Sequence, residues 1–126
     1  MTSLSPSEQV ESLLSELDAV EPVSFDLGTP ELPEVDAVHQ LVSMGTMIVP
    51  YLLESIQGNE PKKRVAYIVL VLSRIGDVSA LAPLVDLRTH YQQHEPKDEW
   101  DYAVIGQCNL AIEQLERRAQ EERTKK

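Results

Sequence analysis

A weak internal repeat constrains the fold of this chain more than any other feature. Residues 41–45 (LVSMG), followed by Pro50, are echoed by residues 72–76 (LSRIG), followed by Pro83. The glycines that end the two segments lie 31 residues apart, a period typical of stacked helix pairs. Because one helix pair cannot bury its apolar side alone, the repeat predicts a stack of helices with an extended exposed surface.

The turn signals divide the rest of the chain into further helical parts of a single all-α domain of 126 residues. We expect an N-terminal helix over 5–19, a proline-rich strap over 20–33, two helix pairs over 34–94 and a capping helix over 98–122. The strap retains four apolar side chains, which favours an ordered, non-helical segment packed on the helices. A disordered linker is the alternative.

The central segment, residues 65–72, is ambiguous because its β-branched side chains would also suit a buried strand. No other segment offers a strand to pair with it, so the sequence favours a helix buried on all sides. Gly45 and Gly76 are predicted to end helices in the left-handed conformation. Pro83 lies too deep for an undisturbed helix after Asp77, and this predicts a short 3₁₀ turn before it.

The charge of the chain is concentrated in its first half. Residues 1–61 contain eleven Asp and Glu and no Lys or Arg, whereas residues 62–126 contain eleven bases and ten acids. Nucleic acid and anionic membranes would be repelled by the first half. The bias serves either solubility alone or an acidic face that binds a protein with a basic surface.

Composition favours a cytoplasmic protein. The longest apolar run, residues 65–72, is far shorter than the roughly 20 residues that a membrane span needs. The first residues lack the basic and apolar segments of a signal peptide. One cysteine, Cys108, leaves no partner for an internal disulfide.

The repeated residues resemble a known family. Residues 45–50, and residues 72–77 (LSRIGD) with residues 83–85 (PLV), are similar to HEAT-like repeats of the phycobilisome-lyase type. In that family an A helix ends in a leucine, three further residues and Gly-Asp, and the following B helix carries a Pro-Leu pair. The resemblance covers about residues 34–94 and implies a short right-handed α-solenoid that binds proteins. The first unit departs from the pattern, since Gly45 is followed by threonine.

The sequence offers little for catalysis. His90 and His94 have the i, i+4 spacing of a metal pair, with Asp86 one turn earlier, but a third strong ligand is missing. An exposed polar face is the simpler interpretation. Cys108 lies on the apolar side of the last helix without a nearby base, which indicates a buried structural thiol. We therefore expect no enzyme activity, no metal and no cofactor.

The functional prediction is a non-catalytic protein–protein interaction module, an adaptor or assembly factor. The alternatives are an immunity or inhibitor protein that neutralises a basic enzyme, and a bilin-lyase subunit or chromophore chaperone. The candidate partner-binding residues come from the second helix of each pair and from the acidic first half: Tyr51, Glu54, Arg88, Tyr91, Glu31, Glu34 and Asp36.

Overall fold

A computed structural model describes residues 5–19, 23–24, 30–31, 35–57, 61–95 and 98–124. Apart from one short strand pairing, these residues form helices packed against each other, so the all-α prediction is confirmed. The helices are α1 (Pro6–Asp18), α2 (Asp36–Met44), α3 (Val49–Gln57), α4 (Lys62–Ile75), α5 (Leu81–Gln93) and α6 (Glu99–Thr124). Two 3₁₀ turns, Gly45–Ile48 and Val78–Ala80, precede α3 and α5.

Four residues of the strap are described, and they are extended. Strand β1 (Val23–Ser24) pairs antiparallel with β2 (Pro30–Glu31), with Val23 opposite Glu31. The backbone of β2 lies against α6. The other strap residues, on which the choice between strap and linker depends, lie outside the described residues.

The start of α1 follows from its first four residues. The Ser5 hydroxyl accepts a hydrogen bond from the Glu8 amide at 3.3 Å, and the Glu8 carboxylate accepts one from the Ser5 amide at 3.4 Å. Pro6 occupies the first helical position, where its missing N–H costs nothing. This capping box satisfies amides that α1 cannot bond internally.

Both repeat units fold as helix, 3₁₀ turn, helix. Gly76 ends α4 in the left-handed conformation, at φ 78° and ψ 25°, as predicted. The Asp77 carboxylate then accepts a hydrogen bond from the Ser79 amide at 2.9 Å and starts the 3₁₀ turn that precedes Pro83. The left-handed prediction is wrong for Gly45, which has φ 72° but ψ −155°. Gly45 is itself the first residue of the following 3₁₀ turn, so the chain turns there without a separate capping residue.

Helix α4 is the centre of the core. Residues 65–72 are all buried in this helix, which rules out the strand interpretation of that segment. Helices α1, α2, α3 and α6 pack against α4, and α5 packs against α6. Large side chains that are almost fully enclosed fill the space between these helices: Leu14, Leu17, Leu41, Ile48, Leu52, Ile68, Leu72, Leu84 and Leu115.

Among the described helices, none combines the length and the apolar composition that a bilayer crossing requires. The longest, α6, has 26 residues but is charged along much of its length.

Candidate protein-docking surfaces

Two of the predicted partner-binding residues lie together on α3. The side chain of Tyr51 is 40% exposed, and Glu54 is exposed one turn later on the same side. Met47, in the preceding 3₁₀ turn, continues this line and is 56% exposed. We call Met47, Tyr51 and Glu54 the α3 stripe. The sequence prediction missed Met47, although its position four residues before Tyr51, off the apolar side formed by Ile48 and Leu52, was visible.

The predicted residues of α5 are used within the fold. Arg88 is half-buried and donates a hydrogen bond from Nη1 to the Asn109 side-chain oxygen at 3.1 Å. Tyr91 is half-buried against the core, and this burial raises the pKa of its hydroxyl. The His90 ring meets the Tyr91 ring edge-on, with centroids 5.7 Å apart. Arg88 and Tyr91 are therefore less exposed than Tyr51, and their role in partner binding stays a prediction.

The predicted acidic residues near the strap are only partly described. Asp36, in the first turn of α2, is exposed. Its charge suits that position because the amino end of a helix is partially positive. The side chain of Glu31 and the whole of Glu34 lie outside the described residues, so their roles stay predictions.

Part of the acidic first half has a partner inside the chain. Arg64, at the start of α4, is buried and donates from Nη1 to the Glu11 carboxylate at 2.8 Å. Its Nε donates to Asp18 at 3.2 Å, and its Nη2 forms a second bond to the same carboxylate. The neighbouring Lys63 donates to the Asp18 carbonyl oxygen at 2.9 Å. The bonds to Asp18 and Glu11 raise the pKa of Arg64 further above its usual value.

The first turn of α6 contains a second charged cluster. Asp98 and Asp101 accept hydrogen bonds from each other's backbone amides, at 2.9 and 2.8 Å, which caps the helix. Lys62 of α4 donates to both carboxylates, at 2.9 and 3.1 Å. The bond from Lys62, followed by the bond from the Asp101 amide, lowers the pKa of Asp98 to about 2. This cluster therefore joins the start of α6 to the start of α4 through ion pairs.

The outer side of α6 exposes two large apolar side chains. Tyr102 is 54% exposed and Leu110 is 62% exposed, and Gly106 lies between them at spacings of four residues. A Cβ added at Gly106 would meet nothing within 4 Å. Glycine inside a helix costs roughly 1 kcal/mol relative to alanine, and nothing in the described packing calls for it. The sequence prediction did not single out Tyr102, Gly106 or Leu110 on this side of the helix.

The two histidines with metal-pair spacing lie at the end of α5. Helix α5 ends at Gln93, and His94 follows in an extended conformation at φ −70° and ψ 130°. His94 still closes the last turn, since its amide donates to the Tyr91 carbonyl oxygen at 3.3 Å, and both His90 and His94 are exposed. Within the described ranges no group of three or more His, Cys, Asp and Glu is placed to hold a metal ion.

Cys108 is fully buried on the inner side of α6. This burial raises the pKa of its thiol to about 12. The thiol therefore stays protonated at neutral pH, where a nucleophile would need to be a thiolate. The interpretation of Cys108 as a buried structural residue agrees with this placement.

A comparison of the chain with protein-family models, with curated proteins and with solved structures found no match.

Proposed function

We propose that this protein is a non-catalytic interaction module, an adaptor or assembly factor of the cytoplasm, that binds a protein with a basic surface through the α3 stripe. The observation that carries the proposal is the exposure of Met47 and Tyr51 in line with Glu54. Tyrosine and methionine are enriched at protein interfaces because they supply large contact areas. The stripe also lies in the half of the chain that has no Lys or Arg.

The proposed architecture is a short right-handed α-solenoid built from HEAT-like helix pairs. Its support is the order of packing, in which α4 lies against α2 and α6, and α3 contacts α5. Such contacts between equivalent helices of successive units are those that stacked repeats make. The shared sequence of helix, glycine with positive φ, 3₁₀ turn and helix in both units adds to this support.

The charge available to a partner is smaller than the sequence suggests. Glu11 and Asp18 are engaged by Arg64, whereas Glu16, Asp36 and Glu54 are exposed. Exposed acids of one sign steer a basic partner toward the surface and raise its association rate. Apolar anchors such as Tyr51 instead determine how slowly the complex dissociates. The α3 stripe combines both kinds of group.

The test uses the full chain as bait in a native lysate, with capture compared at about 50 mM and 500 mM salt. For the captured protein, Tyr51→Ala is expected to speed dissociation about tenfold. The double substitution Asp36→Lys and Glu54→Lys is expected to slow association and to reduce the salt dependence.

Matched controls lie on α6, which is outside the α3 stripe. Tyr102→Ala removes a tyrosine of similar exposure, and Glu113→Lys reverses an exposed acid. Both are expected to leave binding unchanged. The proposal is wrong if no protein is captured at low salt, or if the controls weaken binding as much as the α3 variants do.

The base-free first half also favours a second candidate function, the inhibition of a basic enzyme. In that case the captured protein is an enzyme, and adding this chain abolishes its activity at equimolar ratio. Loss of that inhibition in the Asp36→Lys and Glu54→Lys variant would identify the acidic residues as the inhibitory surface. Full activity of the enzyme in the complex would leave the adaptor as the remaining function.

A further inference from the structure

One side of α6 carries a line of six exposed residues, which we call the α6 stripe: Glu99, Tyr102, Gly106, Leu110, Glu113 and Arg117. With 3.6 residues per turn these positions fall within roughly 40° of one line along the helix. The opposite side contains Val104, Cys108 and Leu115, which are buried against α4 and α5. The α6 stripe therefore points directly away from the core.

Gly106, in the middle of the α6 stripe, allows another molecule to approach the backbone of α6 closely. Its φ is not positive, so the backbone there is one that any residue adopts. The space around it is open, so no neighbour of the described chain excludes a side chain. A helical glycine flanked by exposed Tyr102 and Leu110 leaves a hollow between two apolar projections. Such a hollow fits an apolar side chain from another molecule.

We propose that the α6 stripe binds the α6 stripe of a second copy of this chain, antiparallel about a two-fold axis at the level of Cys108. In this arrangement position 106 of each copy lies opposite position 110 of the other. Leu110 of one copy then packs into the hollow over Gly106 of the other copy, and the contact occurs twice. Position 99 lies opposite position 117, so that Glu99 faces Arg117.

The charges of the α6 stripe support a second copy as the occupant. A two-fold interface must be complementary to itself, and this stripe has an acid at its first position and a base at its last. Arg117 bonds Glu113 of its own helix at 3.0 Å. Antiparallel pairing adds Glu99 of the other copy to this ion pair and opposes the two helix dipoles favourably. The Tyr102 hydroxyl comes near Glu113 of the other copy, whose carboxylate can accept its hydrogen bond.

The interface is small, so the dimer is expected to be weak. One helix pair lies at the low end of specific interfaces in area, and we expect a dissociation constant on the order of 10 µM. The eleven acids of residues 1–61 oppose association of two copies, but screening limits their range to about 8 Å at physiological salt.

The first experiment is analytical ultracentrifugation of the full chain from about 1 to 500 µM at physiological salt, a range that brackets this affinity. A reversible monomer–dimer equilibrium is expected. Leu110→Gln and Gly106→Gln are each expected to weaken the dimer at least about tenfold, since central apolar contacts dominate small interfaces. Tyr51→Ala, on the α3 stripe, is the matched control and is expected to leave the equilibrium unchanged.

A charge swap tests the antiparallel register. Glu99→Arg alone and Arg117→Glu alone are each expected to weaken the dimer about three- to tenfold, and the double variant is expected to restore it. The two positions are 18 residues apart on one helix, which is about 27 Å. They cannot pair within one copy, so rescue in the double variant requires a second copy.

Gly106→Ala separates this proposal from a purely structural role of α6. Alanine favours the helix and is expected to raise the melting temperature of the monomer by a few degrees, while its methyl group fills the hollow and weakens the dimer. A chain that stays monomeric at 500 µM overturns the proposal. A dimer whose dissociation constant is unchanged by Leu110→Gln and Gly106→Gln overturns it as well. Neither outcome changes the prediction for binding at the α3 stripe, so the proposed function does not depend on the dimer.

Discussion

Helices α1 and α6 both pack against α4, but their contacts with it differ in length and in which helix supplies the buried charge. The 13 residues of α1 bury four apolar side chains, and a buried Arg64 joins α1 to α4 through Glu11 and Asp18. The 26 residues of α6 present a longer apolar side. Its ionic contact with α4 lies at its start, where Lys62 bonds the exposed Asp98 and the buried Asp101. Both helices therefore combine buried apolar side chains with an ionic contact to the start of α4, but the buried charge belongs to α4 in one contact, as Arg64, and to α6 in the other, as Asp101.

The basic residues at the start of α4 account for part of the charge asymmetry along the chain. The basic start of α4, Lys62-Lys63-Arg64, contacts acids of both halves, since Arg64 binds Glu11 and Asp18 while Lys62 binds Asp98 and Asp101. Part of the acidic first half therefore complements this basic segment inside the fold. Among the described residues of the first half, Glu16, Asp36 and Glu54 are exposed acids that Arg64 does not bind and that are available to a partner.

The largest expected effect is a loss of stability when one buried leucine on either side of α4 is truncated to alanine. Leu14 of α1 and Leu115 of α6 are both fully buried. Leu14→Ala and Leu115→Ala are each expected to lower the free energy of unfolding by about 2–5 kcal/mol, through lost burial and a cavity. Urea denaturation measures the loss.

Hydrogen exchange distinguishes the two variants. In Leu14→Ala the amides of α1 should exchange faster than those of α4 and α6, because α1 can detach alone. In Leu115→Ala the amides of α4, α5 and α6 should lose protection together. The exposed Leu110→Ala is the control, with a loss below about 0.5 kcal/mol. Uniform loss of protection in both variants would contradict the idea that α1 is the separately held element.

Arg64→Leu tests the charged contact of α1. We expect a loss of about 1–3 kcal/mol, because the three charge-assisted hydrogen bonds to Glu11 and Asp18 disappear while the carboxylates of these two residues, which are partly exposed, stay hydrated. The loss relative to the unmodified chain should shrink at about 1 M salt, where screening weakens the ion pairs. Arg117→Gln, which breaks an exposed pair with Glu113, is the control and should change stability by less than about 0.5 kcal/mol. An equal loss of stability in Arg64→Leu and Arg117→Gln would mean that the burial of Arg64 does not strengthen its ion pairs.

Much of the fold could be predicted because local signals agree with packing. Ser5 to Glu8 specify a helix start, Gly76-Asp77 specify a stop and a new start, and the continuous apolar run of residues 65–72 indicates a helix with neighbours on all sides. Gly45 was predicted less well because the following residue is a threonine and not an aspartate. Without the carboxylate cap the 3₁₀ turn begins at the glycine itself.

The candidate surfaces were less predictable, since exposure depends on which helices become neighbours. Tyr51, near the start of α3, is exposed, whereas Tyr91, near the end of α5, is half-buried because α6 packs against α5. The partnership of Arg64 with Glu11 and Asp18 joins residues about 50 positions apart, and no local pattern indicates it. The spacing of Tyr102, Gly106 and Leu110 indicates the α6 stripe in the sequence. A search for apolar positions that form the core does not select this side, because it is exposed.

A neutral polar contact between α6 and α4 provides the counterpart to Arg64. The Gln114 amide donates to the Ser73 carbonyl oxygen at 2.9 Å, and the Ser73 hydroxyl donates to the Gln114 oxygen at 3.2 Å. Gln114→Leu is expected to cost about 0.5–1.5 kcal/mol. Because neither group is charged, the cost should be the same at low salt and at about 1 M salt. A cost that falls with salt, as expected for Arg64→Leu, would remove this distinction between the two contacts.

The smallest expected effect is the acid sensitivity of the first turn of α6. Lys62 lowers the pKa of Asp98 to about 2 in the folded chain, below its usual value of 3.8. Since the folded state binds the proton less readily, the contribution of Asp98 to stability is complete above the usual pKa and is lost as the pH falls toward 2. Asp98→Asn removes the charge and is expected to lower the melting temperature at neutral pH.

The gap in melting temperature between this variant and the unmodified chain should be constant from about pH 7 to pH 5 and should close between about pH 4 and pH 2. Glu11 and Asp18 are present in both proteins, so the difference between the two isolates the α6 contact from the acid response of the α1 contact. Glu113→Gln, an exposed carboxylate bound only to Arg117 of the same helix among the described residues, is the matched control and should show a smaller gap at neutral pH. A gap for Asp98→Asn that persists unchanged to pH 2.5 would show that the charge of Asp98 does not contribute to stability.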